Sequence, residues 1–405
     1  METFLAADFI VISPGVPHTI APLAAAREKA IPVMGELELA SRFITEPVIA
    51  VTGTNGKTTT TGLIGDMLKQ SGQTVFVGGN IGNPLVGYVD SGQKADHLVV
   101  EVSSFQLDTI ETFRPEISVL LNITPDHLDR YADFDAYVAS KFRIFENQSS
   151  ANTAILNGKD PRIRRMCHRI TAEKLFFTGG GLQEQRSVIN EKGIFFYLTK
   201  RDDRQHVAAF RQKTFKVDFP EDRGMFQCQH MRENAAAACL AAHAAGAGYK
   251  DMQRALAAFS EQAHRMEYLG AFKGVHYYND SKATNVDAVI QALACLAGPV
   301  VLIMGGRNKG NDFSALAQSI QQKVRVLILL GEAAGEIEDS LGHLATCKHV
   351  FSITQAVTQA HASAVQGETV LFSPACASFD MFRDYKDRGN RFRDAVYRLG
   401  RRVMK

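Results

Sequence analysis

Continuous apolar runs alternate along this chain with stretches of helical spacing, and the two periods set the expected elements. Pro47 to Thr52, Thr74 to Val77, His97 to Val102, Ile117 to Leu121 and Ala154 to Leu156 read as parallel strands buried on both faces. Helical spacing follows from Lys57 onward, over Phe134 to Asn147 and over the Ala-rich Met231 to Ala245. Between Gly179 and Phe219, turn residues and short β-rich pieces predict hairpins. From Val275 the βα rhythm returns, with strands at Val300 to Met304, Val324 to Leu330 and Thr369 to Phe372. Right-handed βαβ units of this kind predict an α/β chain of doubly wound sheets, with ligand loops at the C-terminal strand ends.

Residues 1–46 offer less: a strand over Phe9 to Ser13, the turn Ser13-Pro14-Gly15 and an Ala-rich helix from Ala21 to Lys29. One strand and its helix cannot cover a sheet, and so small a piece rarely folds alone. The expectation is the remainder of a domain whose start the chain lacks. Residues 47–265 and 266–405 are expected to form a central and a C-terminal domain.

Composition adds mainly exclusions. The 405 residues are 45% hydrophobic and 22% charged, with a formal net charge of +2. That balance offers no basis for a nucleic-acid or membrane-surface partner. No apolar run approaches a membrane span and no signal-peptide pattern opens the chain, so a cytoplasmic location is expected. Six scattered cysteines without a CxxC pair predict free thiols. Arg388, Arg391, Arg393, Arg398, Arg401 and Arg402 predict a solvated helix face.

The chemistry concentrates after the predicted strands. Gly53, Thr54, Asn55, Gly56, Lys57, Thr58 and Thr59 form a turn between strand and helix. Glycines let backbone N–H groups curl inward, and the helix N-terminus adds partial positive charge, which suits ATP phosphates. Lys57 can reach the phosphates and Thr58 can sit on Mg²⁺; Val51 stands where the strict phosphate-loop pattern has its first glycine. Glu101 ends a strand, placed either for Mg²⁺ or as an edge charge. In Asn122-Ile-Thr-Pro-Asp126-His127-Leu-Asp129-Arg130-Tyr131, His127 reads as a metal ligand, a substrate contact or a capping residue. Lys141 reads, on pattern alone, as a surface lysine. Arg265 can clamp phosphates, and Asp280, Lys282 and Thr284 crowd a strand-to-helix junction. Lys309, Ser378 and Phe379 lie in loops after late strands.

Together GTNGKTT, EVSSFQL, NITPDHLDRY, NDSKATN and SPACASFD resemble the Mur ligase family over nearly the whole chain, from Ser13 to Asn390. NDSKATN and SPACASFD are the narrower motifs. They are similar to the branch that adds D-glutamate to UDP-N-acetylmuramoyl-L-alanine through an acyl phosphate, consuming ATP. The resemblance implies a UDP-binding Rossmann-like domain, here lacking its start, a central ATPase domain and a C-terminal Rossmann-like domain. It implies that Lys57, Glu101, His127, Lys141 and Arg265 are catalytic, with metals on Thr58, Glu101, His127 and Lys141. It further implies that Lys141 is carbamylated. Asn234, Arg265 and Asp280 would serve ATP; Ser13, Asn80, Ser103 and His127 would meet the muramoyl substrate. Lys282, Thr284, Lys309, Ser378, Phe379 and Tyr385 would bind glutamate, in a monomeric enzyme. A folate-polyglutamylating relative and a non-catalytic ATP-binding remnant are the alternatives.

Overall fold

In the computed structural model, residues 4–17, 19–178, 194–197, 199–201, 205–210, 213–217, 228–259 and 263–403 are described. They divide into two compact units, Met1–Ile123 with Arg130–Phe259, and Thr124–Asp129 with Ser260–Lys405. The expected segment 1–46 falls within the first unit.

That segment holds more than one strand. β1 (Ile10–Ile12) pairs in parallel with β2 (Val33–Gly35), and Ile10, Ile12, Leu23 and Ala26 form a small core beneath them. β2 escapes the apolar-run criterion because it is three residues long and follows a proline. The helix Glu36–Ser41 continues from it. Its Glu38 is fully buried and accepts from the N–H groups of Glu111, Thr112 and Phe113 at 2.8–3.0 Å.

β3 (Val48–Thr52), β4 (Val75–Gly79), β5 (His97–Glu101), β6 (Ile117–Leu120), β7 (Thr153–Asn157), β8 (Glu173–Thr178) and β9 (Ile194–Tyr197) make one sheet. Its order is β4-β5-β3-β6-β7-β8-β9, and every neighbouring pair is parallel. β3 is buried at all five positions, which explains its unbroken apolar run. The helix Lys57–Gln70 packs against the helix Gln229–Ala244, whose buried alanines allow close approach. The expected helix Phe134 to Asn147 ends sooner, as Phe134–Phe142 followed by a 3-10 turn. The hairpin region from Gly179 to Phe219 lies partly outside the described residues. Within it β10 (Thr199–Arg201), β11 (Gln205–Phe210) and β12 (Lys213–Val217) are antiparallel.

In the second unit, β13 (Glu267–Phe272), β14 (Val275–Asn279), β15 (Val300–Met304), β16 (Val324–Leu330), β17 (Thr346–Val350) and β18 (Thr369–Phe372) form a six-stranded sheet. Its order is β13-β14-β18-β15-β16-β17, with only β13 and β14 antiparallel. Leu302, Leu327 and Leu371 enter one core, and Val301, Ile328 and Val370 the opposite one. Successive side chains point to opposite faces, so a strand covered on both sides must be apolar throughout.

Cys167, Cys239, Cys347 and Cys376 carry free thiols. Among the described residues no helix is long and apolar enough to cross a membrane.

Candidate active site

β3 runs into Gly53-Thr54-Asn55-Gly56, and the helix Lys57–Gln70 begins at once. Gly56 caps it at φ 87°, where a Cβ would stand 2.2 Å from Asn234 Oδ1. Conformation and space both require glycine there. Asn122, just past β6, holds the loop from the side. Its Oδ1 accepts from Asn55 N–H at 2.9 Å, its Nδ2 donates to the Asn55 carbonyl at 3.1 Å, and its own carbonyl accepts from Thr54 N–H at 3.0 Å. Sequence reasoning assigned Asn122 no role. Its signals are its place at the head of the Asn122–Tyr131 motif and an amide side chain just past a buried strand.

Parallel pairing brings three strand ends together. Val51 of β3 lies opposite Glu101 of β5, and Glu101 opposite Gly79 of β4. The Thr58 hydroxyl donates to Glu101 Oε2 at 2.7 Å, and Asn80 Nδ2 donates to Oε1 at 3.0 Å. The carboxylate itself is buried. Lys57 Nζ donates to the Gly53 and Thr54 carbonyls at 2.9 and 2.8 Å.

Lys141 Nζ donates to the same Gly53 carbonyl, at 2.9 Å. The residue is 1% exposed, so the surface reading is corrected. Tyr137, one helical turn earlier, puts both side chains on the buried face. Its ring lies 4.6 Å from the Lys141 ammonium, and its hydroxyl shares a hydrogen bond with Thr54 Oγ1 at 3.2 Å.

Two expected substrate residues in this unit lie apart from the loop contacts. Ser103 caps the short helix Ser104–Leu107 in a reciprocal box with Gln106. Ser13 is exposed, beginning a turn gripped by Arg130. The Arg130 guanidinium donates to the carbonyls of Pro14, Gly15 and Val16 at 2.7–3.1 Å and lies 4.1 Å over the Phe105 ring. Arg130 also went unassigned in the sequence, although it stands inside a motif.

His127 belongs to the second unit. Its backbone is left-handed, at φ 57°, and its N–H donates to Asp126 Oδ1 at 2.9 Å. Asp126 Oδ2 accepts from Asn285 Nδ2 at 3.1 Å, and Asn285 also caps the helix Val286–Cys295. Asp280, just past β14, accepts from Ser373 Oγ at 2.8 Å and Met266 N–H at 3.2 Å. Burial pushes its carboxyl up to about 7, although those bonds and the charges of Arg265 and Arg388 act the other way. Lys282 Nζ lies 4.9 Å from the Tyr385 ring. Thr284 and Lys309 are half-buried, Ser378 is buried and Phe379 is exposed. Gly305, in the loop carrying Lys309, has φ 118°, and a Cβ there would stand 1.9 Å from the Leu330 carbonyl. Arg388 is fully buried, which corrects the solvated face expected of the six arginines. Arg398, Arg401 and Arg402 are exposed as expected.

Two family models match: the Mur ligase middle domain over residues 51–242, and the Mur ligase glutamate ligase domain over 264–376. The UDP-N-acetylmuramoylalanine–D-glutamate ligase of Desulfosudis oleivorans is 48% identical over 398 residues, covering 98% of this chain and 84% of that protein. The protein of the same name from Desulfatibacillum aliphaticivorans is 50% identical over 392 residues, covering 97% and 84%. Among solved structures, the MurF ligase of Thermotoga maritima in complex with ADP superposes with a TM-score of 0.64 at 16% identity. That match covers 98% of this chain and all of the other, and shows a shared fold.

Proposed function

The chain belongs to the Mur ligase family, and on that premise we propose that it joins D-glutamate to UDP-N-acetylmuramoyl-L-alanine, consuming ATP, in peptidoglycan precursor synthesis. The supporting observation is near-half identity to D-glutamate ligases over 98% of the chain, joined to a glycine-rich loop whose Lys57 and Thr58 are hydrogen-bonded in place, Thr58 to Glu101 at the end of β5. The enzyme is read as a cytoplasmic monomer with domains 1–46, 47–265 and 266–405.

A carboxylate oxygen is a poor leaving group and must be activated. The L-alanyl carboxylate attacks the γ-phosphorus of ATP, the bond to the bridging oxygen breaks, and an acyl phosphate and ADP result. The uncharged amine of D-glutamate then attacks the acyl carbon. The tetrahedral adduct expels phosphate, and the amine proton passes to solvent. Positioning and charge stabilisation make up most of the catalysis.

Backbone N–H groups of Gly53 to Thr59, with Lys57 and Arg265, hold and offset phosphate charge. Asn234 and Asp280 serve the nucleotide. Ser13, Asn80, Ser103 and His127 orient the muramoyl substrate, while Lys282, Thr284, Lys309, Ser378, Phe379 and Tyr385 receive glutamate. The Thr58 hydroxyl and Glu101 carboxylate are hard oxygen donors 2.7 Å apart at a helix N-terminus, a set that fits Mg²⁺. Bound there, the ion would neutralise phosphate charge. Carbamylation of Lys141 by CO₂ would turn a cation into an anion suited, with His127, to a second ion.

The test is phosphate release from ATP by this chain, with UDP-N-acetylmuramoyl-L-alanine and D-glutamate added singly and together. Release that needs both, and fails with L-glutamate, is expected. Release independent of D-glutamate would overturn the reading.

A further inference from the structure

The first turn of the C-terminal helix, Tyr385–Val403, meets both loops to which glutamate is assigned above, and the inference rests on that assignment. Arg388 is 1% exposed. Its Nε donates to Ser281 Oγ at 3.1 Å and its Nη2 to the Ser281 carbonyl at 2.7 Å. Its Nη1 donates to the Cys376 carbonyl at 3.0 Å. Ser281 precedes Lys282 and Thr284, whereas Cys376 precedes Ser378 and Phe379. One guanidinium therefore spans the loops that follow β14 and β18.

The same turn is fastened on its other sides. The Ser281 hydroxyl donates to the Tyr385 carbonyl at 2.9 Å, and Asn279 Nδ2 donates to the Gly389 carbonyl at 3.2 Å. Gly389 lies so close to His264 that a Cβ would stand 2.3 Å from its Nδ1. Burial pulls the Arg388 pKa down to about 10, which leaves it charged at neutral pH. A buried cation is a costly way to fill space, since an apolar side chain of similar volume is often as stabilising. Its rigid planar fork, however, fixes both loops in a geometry that a flexible ammonium would not.

We propose that Arg388 is a positioning residue for D-glutamate. It sets the separation of the Ser281–Thr284 and Cys376–Phe379 loops so that side chains from both meet one amino acid, without itself touching it. Gly306 belongs to the same arrangement, since a Cβ there would stand 3.2 Å from Arg388 Nη1 and 3.0 Å from Cys376 Cβ.

Steady-state phosphate release by the 405-residue chain carrying Arg388→Ala, Arg388→Lys or Ser281→Ala, with thermal melts of each, tests this. For Arg388→Ala the KM for D-glutamate should rise about 10- to 100-fold. The KM values for ATP and UDP-N-acetylmuramoyl-L-alanine should stay within about twofold. Added guanidinium should lower the raised KM, and Arg388→Lys should recover only part of the loss. If Arg388→Ala does not fold, Ser281→Ala decides, with a rise of about threefold to tenfold confined to D-glutamate. An unchanged KM for D-glutamate, or equal rises for all three substrates, would overturn the proposal alone. A wild-type chain that releases no phosphate with D-glutamate would overturn the ligase reading and this proposal with it.

Discussion

The Thr58 hydroxyl donates to Glu101 at 2.7 Å although 43 residues separate them in the chain. The bond exists because β5 lies beside β3 in parallel register, with Val51 opposite Glu101. Glu101→Gln keeps the shape and removes the charge. It should lower kcat by about 10²–10³-fold and raise the Mg²⁺ concentration needed for half-maximal rate. A Mg²⁺ titration of phosphate release checks both, and an unchanged Mg²⁺ dependence would remove Glu101 from the metal site.

Asn122 makes three hydrogen bonds to Thr54 and Asn55, so the turn to which phosphate binding is assigned is braced by the protein's own contacts. Asn122→Ala deletes the two side-chain bonds and leaves the Asn55 peptide without those partners. The KM for ATP should rise about tenfold, a loss of ~1.4 kcal/mol. Isothermal titration with ADP should show a parallel weakening of nucleotide binding without turnover.

Lys141 is buried against the Gly53 carbonyl, where pattern alone placed it at the surface. Native intact-mass spectra taken in bicarbonate should show a CO₂ adduct that Lys141→Ala lacks. Short carboxylic acids should restore part of the activity of that variant. Full activity of Lys141→Ala with no added acid would rule out the carbamate as a catalytic group.

Burial alone would raise the Glu38 carboxyl, but hydrogen bonds from Glu111, Thr112 and Arg42 outweigh it and hold it at about 2, against an ordinary 4.5. The unfolded chain therefore binds the extra proton between these values. Glu38 contributes stability fully above about pH 4.5 and loses it as pH falls through about 2. Glu38→Gln should cost about 2 kcal/mol at pH 7 and flatten the acid limb of a urea-melt series.

Asp280 has the opposite sign. Its folded value of about 7 exceeds the ordinary 3.8, so the native state holds the extra proton in that interval. Its contribution is greatest below about pH 4 and is lost as pH rises through about 7. In Asp280→Asn this downward component should vanish, so the variant gains on the wild type between pH 5 and 8 on thermal melts. A constant difference across that range would contradict the assignment.

The second unit shows how far residue pattern reaches. Val300–Met304, Val324–Leu330 and Thr369–Phe372 occupy the spans that their apolar runs predict, because strands covered on both faces are apolar at nearly every position, the exposed Arg325 interrupting only the start of β16. β17, Thr-Cys-Lys-His-Val at the sheet edge, and the three-residue β2 carry no such run and were not anticipated. The strand–turn–helix junction at Gly53–Thr58 was equally plain, since its glycines, lysine and threonine are contiguous and shape the backbone locally.

Residues that work through distant partners left no such trace. Lys141 and Arg388 each sit on a helix whose spacing permits either face, and only packing turned them inward. Asn122 and Arg130 stand in one motif, yet what they brace lies 67 and about 115 residues away. Local periodicity reports whether a residue can be buried in its own element. Which element covers it, and which loop it then reaches, depends on strand order and register, and those exist only once the sheets have formed.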